Sequence, residues 1–338
     1  MSTEFVATLV KMALTLGLLL NVVPVMVWVE RRGSAFIQDR PGPNRLGPLG
    51  LFQALADAVK FIFKEDVTPT AADLPLYLAA PVLALLPALT TFTVIPFGPD
   101  LIVHGHTIPL VVSDADAGVL LFLALSSLGV YGIVMAGYAS NNKFSLLGSI
   151  RASAQLISYE LALTLSVVAV LMPVGSFRLA DVVAYQRNHV WSFIPQILGF
   201  LVFLVASFAE TNRLPFDLPE AESELIAGFH TEYSAMRFAT FFMAEYIAMT
   251  ALSGLGVTLY FGGWTLPGVH LSGWTGAIVG LLVLLAKIAV CMAVYVWVRW
   301  TFPRFRYDQL MRLGWKVLLP VAIVNLIFVA AMTIAGYL

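Results

Sequence analysis

Apolar residues run through this chain in blocks of about twenty, separated by short stretches rich in Pro, Gly and charge. The blocks lie at 5–29, 74–97, 116–139, 153–174, 193–210, 237–261, 274–299 and 314–337. Each comes close to the 20 or so residues a helix needs to cross the hydrocarbon of a bilayer. The pattern predicts an all-α polytopic membrane protein, a single membrane domain over 1–338 with about eight transmembrane helices. One shorter periodic stretch interrupts the series. Leu51, Leu55, Ala58, Val59 and Ile62 fall on one helical stripe, widened by Phe52 and Phe63, while Gln53, Asp57, Lys60 and Lys64 fall on the other. About 15 residues are too few to span, so the loop 31–66 is predicted to carry an amphipathic helix lying in the interface. Such a helix either anchors the chain or roofs an opening through which a lipid-like substrate enters.

Charge orients the spans. Fifteen of the nineteen Lys and Arg residues lie in the loops 31–66, 143–151, 213–237 and 299–316. The positive-inside rule places those loops in the cytoplasm and both termini on the periplasmic side. The first residues lack a basic segment and a cleavage signal, so 5–29 is read as a retained span. Hydrophobic residues make up 59% of the chain, charged residues only 12%, and mean hydropathy is +0.88. Soluble domains carry about 25% charge. A net charge of −1 gives no footprint for nucleic acid. The single cysteine, Cys291, excludes internal disulfides and an iron–sulfur cluster bound by this chain alone. There is no nucleotide-binding glycine fingerprint and no nucleophilic triad. His104-Gly-His106 lacks the further ligands that a metal site needs.

Against this background the segment Ala209–Tyr233, AETNRLPFDLPEAESELIAGFHTEY, holds six of the chain's twenty acids: Glu210, Asp217, Glu220, Glu222, Glu224 and Glu232. The loop 210–236 is thus an acidic cytoplasmic loop with one central cation, Arg213. Asp217-Leu-Pro-Glu220 fits a capping box, with Asp217 as N-cap and Glu220 three residues on. That accounts for two acids and leaves the others without local partners. Glu160 and Glu245 lie within spans, nine residues past Arg151 and eight past Arg237. At 1.5 Å per residue both sit roughly 12–14 Å from the cytoplasmic end. Each could be an ordinary interhelical hydrogen-bond partner. Two acids at one depth beside a six-acid loop point instead to a connected proton path, because crowding and burial bring carboxylates toward protonation at cellular pH.

ERRGSAFIQDRPGPNRLGPLGLFQALADAVKFIFKED, NNKFSLLGSIRASAQLISYE, AETNRLPFDLPEAESELIAGFHTEYSAMRF and PRFRYDQLMRLGWK resemble one core membrane subunit of respiratory complex I, the NADH:quinone oxidoreductase. That family is designated H in bacteria and subunit 1 in mitochondria. The resemblance runs from about Glu30 to Lys316. It implies an inner-membrane subunit joining a peripheral electron-transfer arm to proton-pumping, antiporter-like membrane subunits. It implies quinone as substrate, with FMN and iron–sulfur clusters held only by partners. Arg31, Arg40, Asp57, Phe242 and Tyr246 would line the quinone tunnel. Glu160, Glu210, Glu220, Glu222, Glu224, Glu232 and Glu245 would form an acidic funnel toward the pumping subunits, with Arg213 and Asp217 structural at the junction. Two other readings remain at this point. A related membrane-bound hydrogenase or other complex-I-like dehydrogenase would share the motifs. A stand-alone proton-coupled transporter would be expected to show an internal repeat, and none is evident.

Overall fold

The computed structural model of the chain describes residues 3–103, 106–219, 222–269 and 273–337. Helix α1 (Thr3–Ile37) is followed by the short α2 (Gln53–Phe63) and by α3 (Leu74–Thr91). Next come α4 (Gly118–Ala139), α5 (Lys143–Val174), α6 (Leu179–Asn188) and α7 (Ile197–Glu210). The chain ends with α8 (Glu222–Leu225), α9 (Ala235–Tyr260), α10 (Gly273–Thr301), α11 (Tyr307–Leu313) and α12 (Leu319–Ile334). A π-turn over Gly314–Leu318 fuses α11 and α12 into one span. Among the described residues, the only paired strands form a small antiparallel hairpin, Leu101–Val103 with His106–Ile108. His106 is exposed on its second strand, and His104 lies outside the described residues.

Among the described residues, seven helices are long and apolar enough to cross a membrane. The expected span at 193–210 is the exception, since α7 has only 14 residues. At 1.5 Å per residue that is about 21 Å, short of a full crossing. The cause is local. Ser192 N–H donates to Gln186 Oε1 and Phe193 N–H to the Tyr260 carbonyl, so these backbone groups are held outside a helix. By contrast α1 runs eight residues beyond its apolar block, to Ile37, and carries Glu30 and Arg31 within the helix. Asn142 caps α5 by accepting from Phe144 N–H at 2.9 Å, and Gly175, at φ 69°, ends it.

Helix α9 is the centre of the bundle. It packs on α1, α3, α7 and α10, and every residue from Met249 to Tyr260 is buried. Helices α3 and α4 approach at Gly132, where an added Cβ would lie 2.6 Å from the Ala84 nitrogen. Small residues let backbones meet where lipid offers no hydrophobic driving force.

The helix that the capping box requires does not start at Asp217: Leu218 and Pro219 are not helical, and Glu220 of the box lies outside the described residues. Asp217 pairs instead with Arg304, which lies between α10 and α11, at 2.9 Å. That charge-assisted contact ties one oxygen of the carboxylate to a partner outside the loop.

Candidate functional site

The extension of α1 places Glu30 against the first half of α9 and the loop after α7. There it meets two cations and a phenol. Arg213 Nη1 lies 3.3 Å from Glu30 Oε2, and Arg213 Nε lies 2.5 Å from Glu245 Oε1. Tyr246 donates its hydroxyl to Glu30 Oε2 at 2.6 Å, and Arg299, near the end of α10, pairs with Glu30 Oε1. The Arg213 guanidinium also stacks over the Tyr246 ring at 4.5 Å. Two acids and two cations balance. The side chains of Arg213 and Glu30 are only 4% and 10% exposed. Burial works against the Arg213 charge, but Glu245, with Tyr246 and Glu30, outweighs it and holds the guanidinium above its ordinary value. A guanidinium fork suits this task, since it reaches two carboxylates at fixed angles.

Glu245 has a second neighbour. A cavity of about 110 Å³ lies between α3, α4, α9 and the end of α7. It is lined by Glu210 and Glu245, with Asn212, Phe242, Ala88 and Gly129 among its walls. The volume is enough for several water molecules. Glu210 Oε2 is buried and has no hydrogen-bond partner among the described residues. Glu160 stands on α5 and accepts from the Ser127 hydroxyl of α4. Glu210 and Glu245 thus face one cavity from separate elements, while Glu160, on a third, meets Ser127 beside the cavity-lining Ser126.

The remaining acids lie at the rim. Glu224 pairs with Arg151 at 2.6 Å, and Glu232 accepts from Asn142 Nδ2 at 2.6 Å. The cations for Glu224 and Asp217 thus come from outside the acidic loop. Glu220 and the Glu222 side chain lie outside the described residues. His230 is buried between Phe229, Phe238 and Phe242, with ring centroids 4.8–6.0 Å away. Burial pushes its imidazole down to about 4.

Four of the five tunnel candidates fall into two pairs. Arg31 and Asp57 form an ion pair at 2.5 Å that ties α1 to α2. Phe61 of α2 packs on Phe238 of α9 at 6.2 Å. The apolar stripe of α2 points away from the bundle: Leu55, Val59 and Ile62 are exposed, while Asp57 turns inward. Phe242 and Tyr246 lie one turn apart on α9, beside the cavity and the charge cluster respectively. Arg40 stands apart, exposed, bonding Gln38 at 2.7 Å. Sequence reasoning passed over Glu30 and Arg299. Each sits at the edge of an apolar block, where a charge reads as the end of a span.

Among the described residues no group of three or more His, Cys, Asp or Glu is placed to hold a metal. The family described as NADH dehydrogenase matches residues 10–330. The chain is 50% identical over 319 residues to an NADH-quinone oxidoreductase H-type subunit of Geobacter metallireducens, covering 94% of each chain. It is 52% identical over 335 residues to the corresponding NADH-quinone oxidoreductase subunit of Deinococcus radiodurans, covering 96% of this chain and 82% of that one. With the corresponding NADH-quinone oxidoreductase subunit of Cytophaga hutchinsonii it shares 48% identity over 307 residues and 90% of both chains.

Proposed function

Because the chain belongs to the NADH dehydrogenase family, as a multi-pass bacterial membrane subunit of the NADH-quinone oxidoreductase complex, we propose that it forms the wall of the quinone tunnel and the acidic path from quinone chemistry to proton pumping. The observation that carries this reading is the buried Glu30–Arg213–Glu245–Tyr246–Arg299 cluster, which shares Glu245 with the Glu210 cavity.

Quinone is the substrate, and enters from the bilayer beside α2. The exposed apolar stripe of α2 rests in the lipid interface, and the Arg31–Asp57 pair fixes the helix to α1. Phe242 and Tyr246 line the inner reach of the tunnel, and Arg40 its mouth. Partner subunits hold FMN and the iron–sulfur clusters and supply the electrons. The change in charge on quinone reduction acts on the adjoining cluster. Two balanced ion pairs in a low-dielectric site redistribute when a charge appears beside them, because each interaction is strong and none is screened. Glu245 transmits the change to Glu210 and Glu160 through the cavity. Glu220, Glu222, Glu224 and Glu232 continue toward the antiporter-like subunits. The loops 31–66 and 210–236 face the cytoplasm, and both termini the periplasm.

The test is Glu→Gln at 160, 210 and 245 in the whole complex. Gln keeps shape and removes the titrating proton. Expected is normal assembly, normal electron transfer to an artificial acceptor of the peripheral arm, and a joint fall in quinone turnover and proton translocation. Lost assembly with normal coupling per assembled complex would make these acids structural.

A further inference from the structure

The turn that carries Glu210 and Arg213 is held from one side by a single amide. Gln155 of α5 is 0% exposed, and its Nε2 meets three acceptors: the Ala209 carbonyl at 2.9 Å, Asn212 Oδ1 at 3.2 Å and the Phe216 carbonyl at 2.9 Å. These acceptors span the whole reversal after α7. The chain folds back there through Asn212, at φ 50°, with Arg213 N–H on the Phe208 carbonyl and Phe216 N–H on the Arg213 carbonyl. A primary amide has two protons to give, so three acceptors around one nitrogen fix its orientation. Turning the amide over would set Oε1 against three oxygens. As placed, Oε1 has no hydrogen-bond partner among the described residues, so the packing commits this side chain to its donor face.

One turn along α5, Tyr159 supports the same loop. Its ring meets Phe216 edge-on at 5.4 Å, and its hydroxyl donates to the Leu310 carbonyl at 2.8 Å. Tyr159 restrains the far end of the turn. Gln155 also reaches the near end, at Ala209 beside Glu210. Within this turn Glu210 faces the cavity, and Arg213 reaches Glu245 and Glu30. We propose that Gln155 is a positioning residue for the coupling path: its Nε2 sets the turn so that Glu210 and Arg213 converge on Glu245. The inference rests on the acid path proposed above. Gln155 itself carries no proton and touches no substrate.

The test uses the whole complex, with turnover counted per assembled copy. Gln155→Met keeps volume and removes the donor. Gln155→Asn keeps the amide on a stem one methylene shorter, and serves in its place should the methionine variant fail to assemble. Expected is a fall in quinone turnover of about ten- to hundred-fold, the scale of a misplacement near 1 Å, with quinone KM unchanged. Gln155→Met combined with Glu210→Gln should be no slower than Glu210→Gln alone, because both act at one point. Normal turnover in both Gln155 variants, or losses that multiply in the double variant, would overturn the role of Gln155 while leaving the acid path standing. Normal turnover in Glu210→Gln would overturn the path itself and this role with it.

Discussion

Arg213→Met offers a quantitative test of the buried charge cluster. The wild-type group balances Glu30 and Glu245 against Arg213 and Arg299 at separations of 2.5–3.3 Å wherever Arg213 is a partner. Removing Arg213 leaves one excess negative charge with little water to solvate it. Breaking a buried pair by deleting one partner costs about 3–5 kcal/mol. Proton uptake sets a ceiling on the loss. An ordinary glutamate, with a pKa of about 4.3, is protonated at pH 7 for about 3.7 kcal/mol. The expected loss is therefore about 3–4 kcal/mol at pH 7. At about 2.1 cal/mol/K per residue, that lowers the midpoint of thermal unfolding by about 5 °C for a chain of this length. The folded variant then binds one proton more than the unfolded chain, so its deficit shrinks as pH falls, by about 1.4 kcal/mol per unit between pH 7 and 5. Adding Glu245→Gln to Arg213→Met should restore most of the stability, since the excess charge is gone. The assay is differential scanning of the purified complex for both variants at pH 7 and pH 5.5. An unchanged midpoint in Arg213→Met, or a double variant less stable than the single, would refute the charge-balance reasoning.

Three further outcomes follow from particular contacts. Phe61→Arg puts a charge against Phe238, and Asp57→Lys sets like charges together at Arg31. Both should raise the apparent quinone KM while artificial-acceptor activity stays normal, and an unchanged KM in assembled complex would remove α2 from the tunnel. His230, held near 4 by burial, stays neutral while an unfolded imidazole charges below pH 6.5. The fold should lose about 3 kcal/mol of stability as pH falls from 6.5 to 4, and His230→Leu should flatten that slope in unfolding midpoints taken across the range. With Cys291 replaced by Ala, an impermeant thiol reagent added from outside should label Asn188→Cys and spare Lys143→Cys, and the reverse pattern would invert the topology.

The helices were legible in the sequence because burial in lipid demands long apolar runs, whatever packs against them. Helix α2 was legible from its two stripes, and the structure adds that Asp57 turns inward to Arg31 while Leu55, Val59 and Ile62 turn out. What depended on distant partners was hidden. The capping box at Asp217 satisfied every local rule, yet no helix starts there and Asp217 pairs with Arg304, 87 residues away. The shortness of α7 follows from Gln186 and Tyr260, neither of which lies in its apolar block. Glu245 and Arg213 stood out as charges in apolar surroundings, whereas Glu30 and Arg299 resembled span ends. Gln155 gave no signal at all, since a neutral amide in a helix has no periodic mark and its value lies in three acceptors more than fifty residues on.

In the proposed function, the cavity between α3, α4 and α9 carries the proton link between Glu245 and Glu210. Gly129 lines that cavity, and among the described residues nothing lies within 4 Å of the position a Cβ would take there. Gly129→Leu fills the space with apolar atoms and leaves every acid in place. The decisive measurement is proton translocation and quinone turnover per assembled Gly129→Leu complex, referenced to artificial-acceptor activity. Both should fall together while the reference stays normal, if the cavity carries the link. Full turnover with full pumping through the filled cavity would contradict it.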